Sequence, residues 1–197
     1  MQILIPNLNR RPDKKFATMG ALLSHGFQQT DFTFIEADDS EQYDSFQDQI
    51  DTFIRKWDPY WKHNLGGLVL QRPLLGSIST YLGILKRIVL SGEPGILMLD
   101  DHYLANKVPF DLITKENEPV IINLTDDSKS DDCLLFHPNA ALHIYNSLIS
   151  VCEPRSLILW KHCFQYYNYQ RSFEPYAFHI GPKGTFLSDI GDKSDAI

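Results

Sequence analysis

Short apolar runs alternate along this chain with stretches of helical period, the pattern of an α/β domain with a largely parallel sheet. Residues 3–8 predict the first strand. After a polar turn from Asn9 to Asp13, Phe16, Met19, Leu22 and Leu23 share one helical face, and Gly26 is placed to end that helix. Residues 32–37 predict a second strand, stopped by Asp38-Asp39-Ser40. Beyond it Tyr43, Phe46, Ile50, Phe53, Ile54 and Trp57 form an apolar stripe on a longer helix. Pro59, Gly66-Gly67, Pro73 and Gly76 break residues 58–76 into a loop or short strands. Ser77 or Ser79 caps the next helix, which turns Ile78, Leu82, Leu85 and Val89 inward and closes at Gly92-Glu93-Pro94. The clearest strand, residues 95–99, then delivers Asp100-Asp101-His102 at its carboxyl end, the edge where open α/β sheets bind ligands. In the second half, residues 120–124 and 133–136 predict strands on either side of an acidic turn. Pro138 opens a helix carrying Ala141, Ile144, Tyr145, Leu148 and Ile149, and a further helix is expected over residues 155–167.

Composition narrows the classes. A chain of 197 residues that is 43% hydrophobic, with 12 Phe, 9 Tyr and 3 Trp, has the material for one core, so residues 1–197 read as a single domain. The net charge of -7 argues against nucleic acid or an anionic membrane surface as the main partner. Cys133, Cys152 and Cys163 lack both the even count of a disulfide framework and the paired spacing of a zinc site, which fits a reducing compartment. The first residues carry no charged leader, and no continuous apolar run is long enough to span a bilayer, so a soluble, cytoplasmic chain is expected.

The acidic strand end carries the chemistry. Carboxylates crowded together repel one another unless solvent or a cation compensates them, and a divalent metal supplies such compensation. Alternate residues of an extended segment project to the same side. Asp100 and His102 are therefore expected to face one ligand while Asp101 points away. Oxygen and imidazole donors together suit Mn²⁺ or a similar first-row ion, with Mg²⁺ the alternative. A solvated acidic turn is the plainer explanation of the same tripeptide.

The ordered pieces of the first 110 residues resemble the lipopolysaccharide-type glycosyltransferase family numbered 25, of the GT-A fold. The pieces are Ile5-Pro6-Asn7-Leu8-Asn9-Arg10-Arg11-Pro12-Asp13, the strand ending Phe34-Ile35-Glu36-Ala37-Asp38-Asp39, and the path from Gly76 through Leu85 to Leu99-Asp100-Asp101-His102. The chain departs from the family where Ser79-Thr80-Tyr81 replaces a Ser-His pair, and where His102 replaces a final acid. The resemblance implies a nucleotide-sugar-binding half over residues 1–110, and an acceptor side with a metal- and phosphate-binding tail over residues 111–197. Some GT-A enzymes complete the metal site with a C-terminal histidine followed by a glycine and a lysine. The segment His179-Ile180-Gly181-Pro182-Lys183-Gly184 is similar to that pattern. On this reading Asp100, His102 and His179 hold the metal, while Lys183 and nearby backbone N–H groups meet the diphosphate.

The resemblance also implies donor contacts for Pro6, Asn7, Arg10 or Arg11, Asp38, Asp39, Thr80, Tyr81, Asp100 and Asp101. Asp38 and Asp39 serve equally well as caps of the following helix. Tyr60 and Trp61, beside Gly66-Gly67, are candidates for stacking on sugar rings, and Trp57 is assigned to the core. For a catalytic base the chain offers Asp132 and Glu153, neither within a motif. The expected activity is metal-dependent transfer of a hexose from a nucleotide-diphosphate sugar, UDP-glucose or UDP-galactose foremost, to a saccharide or other hydroxyl acceptor. Donor hydrolysis is expected in the acceptor's absence. The alternatives are a metal-dependent nucleotide-diphosphate hydrolase or nucleotidyltransferase, and a non-catalytic nucleotide-sugar-binding protein.

Overall fold

A computed structural model describes residues 1–57, 72–109, 120–126, 131–150, 168–171 and 175–181. Its elements, in chain order, are β1 (Gln2–Asn7), α1 (Pro12–Ser24), β2 (Phe32–Glu36), a 3-10 turn (Ser40–Gln42), α2 (Phe46–Trp57), α3 (Arg72–Ser91), β3 (Gly95–Met98), β4 (His102–Leu104), β5 (Val120–Asn123), β6 (Cys133–Phe136), α4 (Pro138–Ser150), β7 (Asn168–Arg171) and β8 (Ala177–His179).

Six strands form one sheet in the order β2-β1-β3-β6-β5-β7, and β4 pairs with β8 in a separate ribbon. β1 runs parallel to β2 and β3, and β5 parallel to β7, while β6 is antiparallel to both of its neighbours. The largely parallel sheet read from the sequence is therefore broken at one strand. Alternation along each strand feeds two apolar layers. Leu4, Leu97, Leu134 and Phe136 join the cluster built with α2, α3 and α4, whereas Ile3, Ile5, Ile96, Met98, Cys133 and Leu135 join the cluster that includes Leu22 of α1. Every residue of β3 and β6 is buried, as expected of strands covered on both faces.

Three elements differ from the sequence reading. α3 begins at Arg72, ahead of the predicted cap at Ser77 or Ser79, and so runs through Pro73 and Gly76. Proline is tolerated in a first helical turn because its missing N–H would have had no intrahelical partner there. Gly76 belongs in the helix because α3 passes directly over the Asp38 carbonyl, where a side chain would collide. α1 buries Lys14, Thr18 and Leu22, spaced four apart, and leaves Phe16 and Leu23 exposed. Its inner face is thus rotated from the apolar one expected. Tyr43 stands before α2 rather than on it, with its hydroxyl donating to Asp38 Oδ1 at 2.9 Å. The helix expected over residues 155–167, and the aromatic residues Tyr60 and Trp61, lie outside the described residues.

Among the described residues one helix, α3, is long and apolar enough by composition to cross a bilayer. Here it is the central core helix, with Leu75, Ile78, Leu82, Ile84, Leu85 and Ile88 buried. Burial also pushes the Cys133 thiol far above its ordinary value, with a smaller push from Asp132. Because the thiolate is the reactive form, Cys133 is expected to resist alkylation in the native protein and to label fully in denaturant. Peptide mapping by mass spectrometry checks this, and native labelling of the Cys133 peptide would contradict the packing described.

Candidate functional site

β2, β1 and β3 are adjacent and parallel, so their carboxyl ends open on one edge of the sheet. That edge collects Asp38 and Asp39 after β2, Asn7 at the end of β1, and Asp100 and Asp101 after β3. It is the position at which α/β sheets take ligands.

The chain does not leave β3 in an extended conformation. His102 N donates to the Leu99 carbonyl at 3.1 Å, which closes a turn over Asp100 and Asp101 before β4 begins. Inside a turn the alternation of a strand no longer holds, and the expectation that Asp100 and His102 face one ligand with Asp101 turned away is corrected accordingly. Asp101, rather than Asp100, meets the histidines. Its Oδ1 lies 2.7 Å from His102 Nδ1, and its Oδ2 lies 3.7 Å from His179 Nε2. The pairing of β4 with β8 puts His102 directly across from His179, with ring centroids 5.1 Å apart. Asp132 also reaches this group, its Oδ2 standing 3.8 Å from His102 Nε2.

Asp100 is held on the other side of the turn. Asn7 Nδ2 donates to Asp100 Oδ2 at 2.7 Å, Lys14 Nζ lies 3.7 Å from Oδ1, and Thr18 Oγ1 donates to the Asp100 carbonyl at 2.6 Å. Lys14 and Thr18 were not anticipated from the sequence. Their signal is a period of four, Lys14, Thr18 and Leu22, which is hidden beneath the more apolar Phe16 and Leu23.

A second cluster holds the end of β2. Arg10 Nε donates to Asp39 Oδ2 at 2.9 Å, and Asp39 Oδ1 accepts from Glu41 N at 3.0 Å, so Asp39 caps the 3-10 turn while pairing with Arg10. Asp38 N donates to Thr80 Oγ1 at 2.8 Å, and Thr80 Oγ1 in turn donates to the Gly76 carbonyl at 2.9 Å. Burial above all, and then the Asp38 carboxylate, push the Tyr43 hydroxyl up to about 12. Arg72, also unanticipated, donates from Nη2 to the carbonyls of Ser40 and Tyr43 at 2.7 and 2.6 Å.

Of the other expected donor residues, Arg11 pairs locally with Asp13, and Pro6 sits within β1 opposite Ile35. Tyr81 is buried in the core cluster with Leu97 and Ile144, so the structure does not bring it to the acidic turn. Thr80 anchors Asp38 from inside the helix. Lys183 and Glu153 lie outside the described residues.

Electrostatics at the turn follow from this crowding. Burial, the largest influence, pushes the Asp101 carboxyl up, but the hydrogen bond with His102 and the charges of His102, His179 and Lys14 together outweigh it. The carboxyl is held below its ordinary value of 3.8. A group with a lowered folded value stabilises the fold fully above its unfolded value, and this stabilisation is lost as pH falls through the folded one. The stability difference between wild type and Asp101→Asn is therefore expected to shrink as pH drops below 3.8. Urea unfolding across that range checks the sign.

Among the described residues, no three His, Cys, Asp or Glu side chains converge as a preformed metal cluster. The donor chemistry nevertheless fits a first-row divalent ion. His102 Nδ1 faces Asp101, and His179 Nδ1 lies 3.1 and 3.2 Å from the carbonyls of Ile180 and Gly181. Acceptors at both Nδ1 atoms select the tautomer with Nε2 unprotonated and able to ligate, the usual arrangement around metal-bound histidine. Two ligand atoms each about 2.1 Å from one ion stand about 3.0–3.4 Å apart. The two Nε2-to-carboxylate gaps, His179 to Asp101 at 3.7 Å and His102 to Asp132 at 3.8 Å, belong to separate pairs and are each wider than that spacing.

No family model matches the chain, and no curated protein matches it in sequence. Solved structures do resemble it. A glycosyltransferase involved in glycosylation of the major capsid of PBCV-1 is 12% identical, with a TM-score of 0.46 over 89% of this chain and 82% of that one. The glycosyltransferase GlyE of Streptococcus pneumoniae TIGR4 is 11% identical, with a TM-score of 0.53 over 94% of this chain and 56% of that one. The apo form of GlyE gives 9% identity and a TM-score of 0.51 over 92% and 54%. The chain thus spans little more than half the length of GlyE. At such identities the likeness bears on architecture alone, and the architecture is the GT-A fold found in glycosyltransferases.

Proposed function

We propose that this chain transfers a hexose from a nucleotide-diphosphate sugar to a hydroxyl acceptor, with a divalent ion, Mn²⁺ or Mg²⁺, at the acidic turn. The observation that carries the reading is the meeting of Asp101, His102 and His179 at the ligand-binding edge of a GT-A sheet. In this reading His102 and His179 hold the ion through Nε2 with an oxygen from Asp101, and Asp100 takes a supporting place beside Asn7. Asp100, Asp101 and Asp132 crowd three negative charges at one turn, and such crowding disfavours a bare diphosphate. A divalent ion supplies positive charge to the departing diphosphate, where electrostatic assistance has its largest effect.

The remaining roles follow the edge outward. Asp38 and Asp39 are proposed to receive the ribose or base of a UDP-sugar, UDP-glucose or UDP-galactose foremost, with Arg10, which donates to Asp39, orienting it. Lys183 is proposed to neutralise the diphosphate, and Asp132 or Glu153 to receive the acceptor's proton. Membership of the lipopolysaccharide-type family 25 belongs to the same proposal and rests on the ordered motifs of the first 110 residues.

Product identity tests the reading. Incubation with UDP-glucose or UDP-galactose and Mn²⁺ is expected to release UDP together with free or transferred hexose. Release of UMP and a sugar phosphate would instead make the chain a pyrophosphate-cleaving enzyme. Tight donor binding with no turnover on any acceptor or on water would make it a binding protein.

A further inference from the structure

Lys14 is an unusual residue for the inner face of a helix. Its side chain is 5% exposed, in a class of residue that is almost never fully buried unless paired, and it points at an acid that is itself only 15% exposed. Removing an ammonium from water is unfavourable unless a partner compensates it. Asp100 lies within reach of it, and the rest of this face also grips that acid. Thr18, one turn further along α1, takes the Asp100 carbonyl, and Asn7 takes the carboxylate oxygen that Lys14 does not face. The adjacent acids of the turn are thereby divided, with Asp100 tied to β1 and α1, and Asp101 to the two histidines of the ribbon.

We propose that Lys14 is a positioning residue that makes this division. Its ammonium is a built-in counter-charge that draws Asp100 away from the histidines, leaves Asp101 as the acid facing them, and caps the negative charge the turn offers to a cation. The idea rests on the site proposed above in one respect only, the presence of a divalent ion. The charge pairing of Lys14 with Asp100 does not depend on it. Methionine in place of Lys14 keeps the length of the side chain and removes the charge, so Asp100 loses this counter-charge. Changing Asp100 to Asn as well removes the acid that Lys14 faces.

Thermal unfolding of wild type, Lys14→Met and Lys14→Met/Asp100→Asn, each in EDTA and over an Mn²⁺ titration, tests both parts. In EDTA the single variant is expected to melt lower than wild type, and the double variant to regain at least half of the loss. A double variant no more stable than Lys14→Met overturns the proposal. In the titration, Lys14→Met is expected to reach its half-maximal shift at an Mn²⁺ concentration at least roughly fivefold lower than wild type, because one cation has left the site, and the double variant to return to the wild-type value. A half-point for Lys14→Met equal to or above that of a responsive wild type also overturns it. A wild type that shows no response to Mn²⁺ removes the metal from the proposed function, and the comparison in EDTA then decides Lys14 by itself.

Discussion

Changing His102 and His179 together to alanine is expected to weaken Mn²⁺-dependent UDP binding by at least roughly 100-fold, while leaving the weak metal-free binding unchanged. The magnitude follows from the arrangement of the two rings. They occupy opposed positions on β4 and β8, each has its Nδ1 facing an acceptor, and each points Nε2 toward a carboxylate. Alanine removes both imidazoles but none of the backbone pairing that holds the ribbon, so the loss falls on binding rather than folding. Circular dichroism separates the two effects. Calorimetry showing UDP affinity in Mn²⁺ within a few-fold of wild type, on a folded variant, would remove the histidines from the site.

The second large effect is expected at a residue that touches no ligand. Gly76 to Ala places a methyl group against the Asp38 carbonyl oxygen well inside van der Waals contact, while the Asp38 carbonyl carbon and Gln49 Nε2, at 3.4 and 3.6 Å, lie at ordinary contact distance. The nearest obstacle is backbone and cannot swing aside. Alanine favours a helix interior over glycine by about 1 kcal/mol, but overpacking of this kind costs about 3 kcal/mol, so the sign is destabilising. For a chain of this size a net loss of about 2 kcal/mol lowers the melting temperature by about 4–8 °C. The displacement falls on the loop that carries Asp38, Asp39 and Tyr43, so UDP affinity is expected to drop along with stability. A variant as stable as wild type would show that α3 does not approach β2 as described.

The features legible in the sequence were those with a short, regular code. The all-apolar run before Asp100 declared β3 and the acids at its end, and β6 and the start of α4 emerged with the expected bounds. The link between His102 and His179 came from the resemblance to GT-A enzymes that carry a C-terminal histidine, and the two strands place those residues opposite one another.

What the sequence concealed has physical reasons. Two aspartates after a strand are turn formers as well as ligands, and here the turn won, exchanging the roles of Asp100 and Asp101. On α1 the functional face is polar, because Lys14 and Thr18 serve the Asp100 turn, so an apolar criterion chose the face that holds exposed Phe16. In α3, glycine and proline signalled a loop, but one occupies the tolerant first turn and the other permits close packing on Asp38. Both meanings depend on a neighbour distant in sequence.

The most direct test of the account is a crystal structure of the protein with Mn²⁺ and UDP, read by anomalous scattering at the manganese edge. An anomalous peak is expected between the Nε2 atoms of His102 and His179, beside Asp101, with the UDP diphosphate against it and Asp100 still paired with Lys14. UDP bound at the edge of β1 and β2 with no peak, or with the peak at any other group of residues, would contradict it.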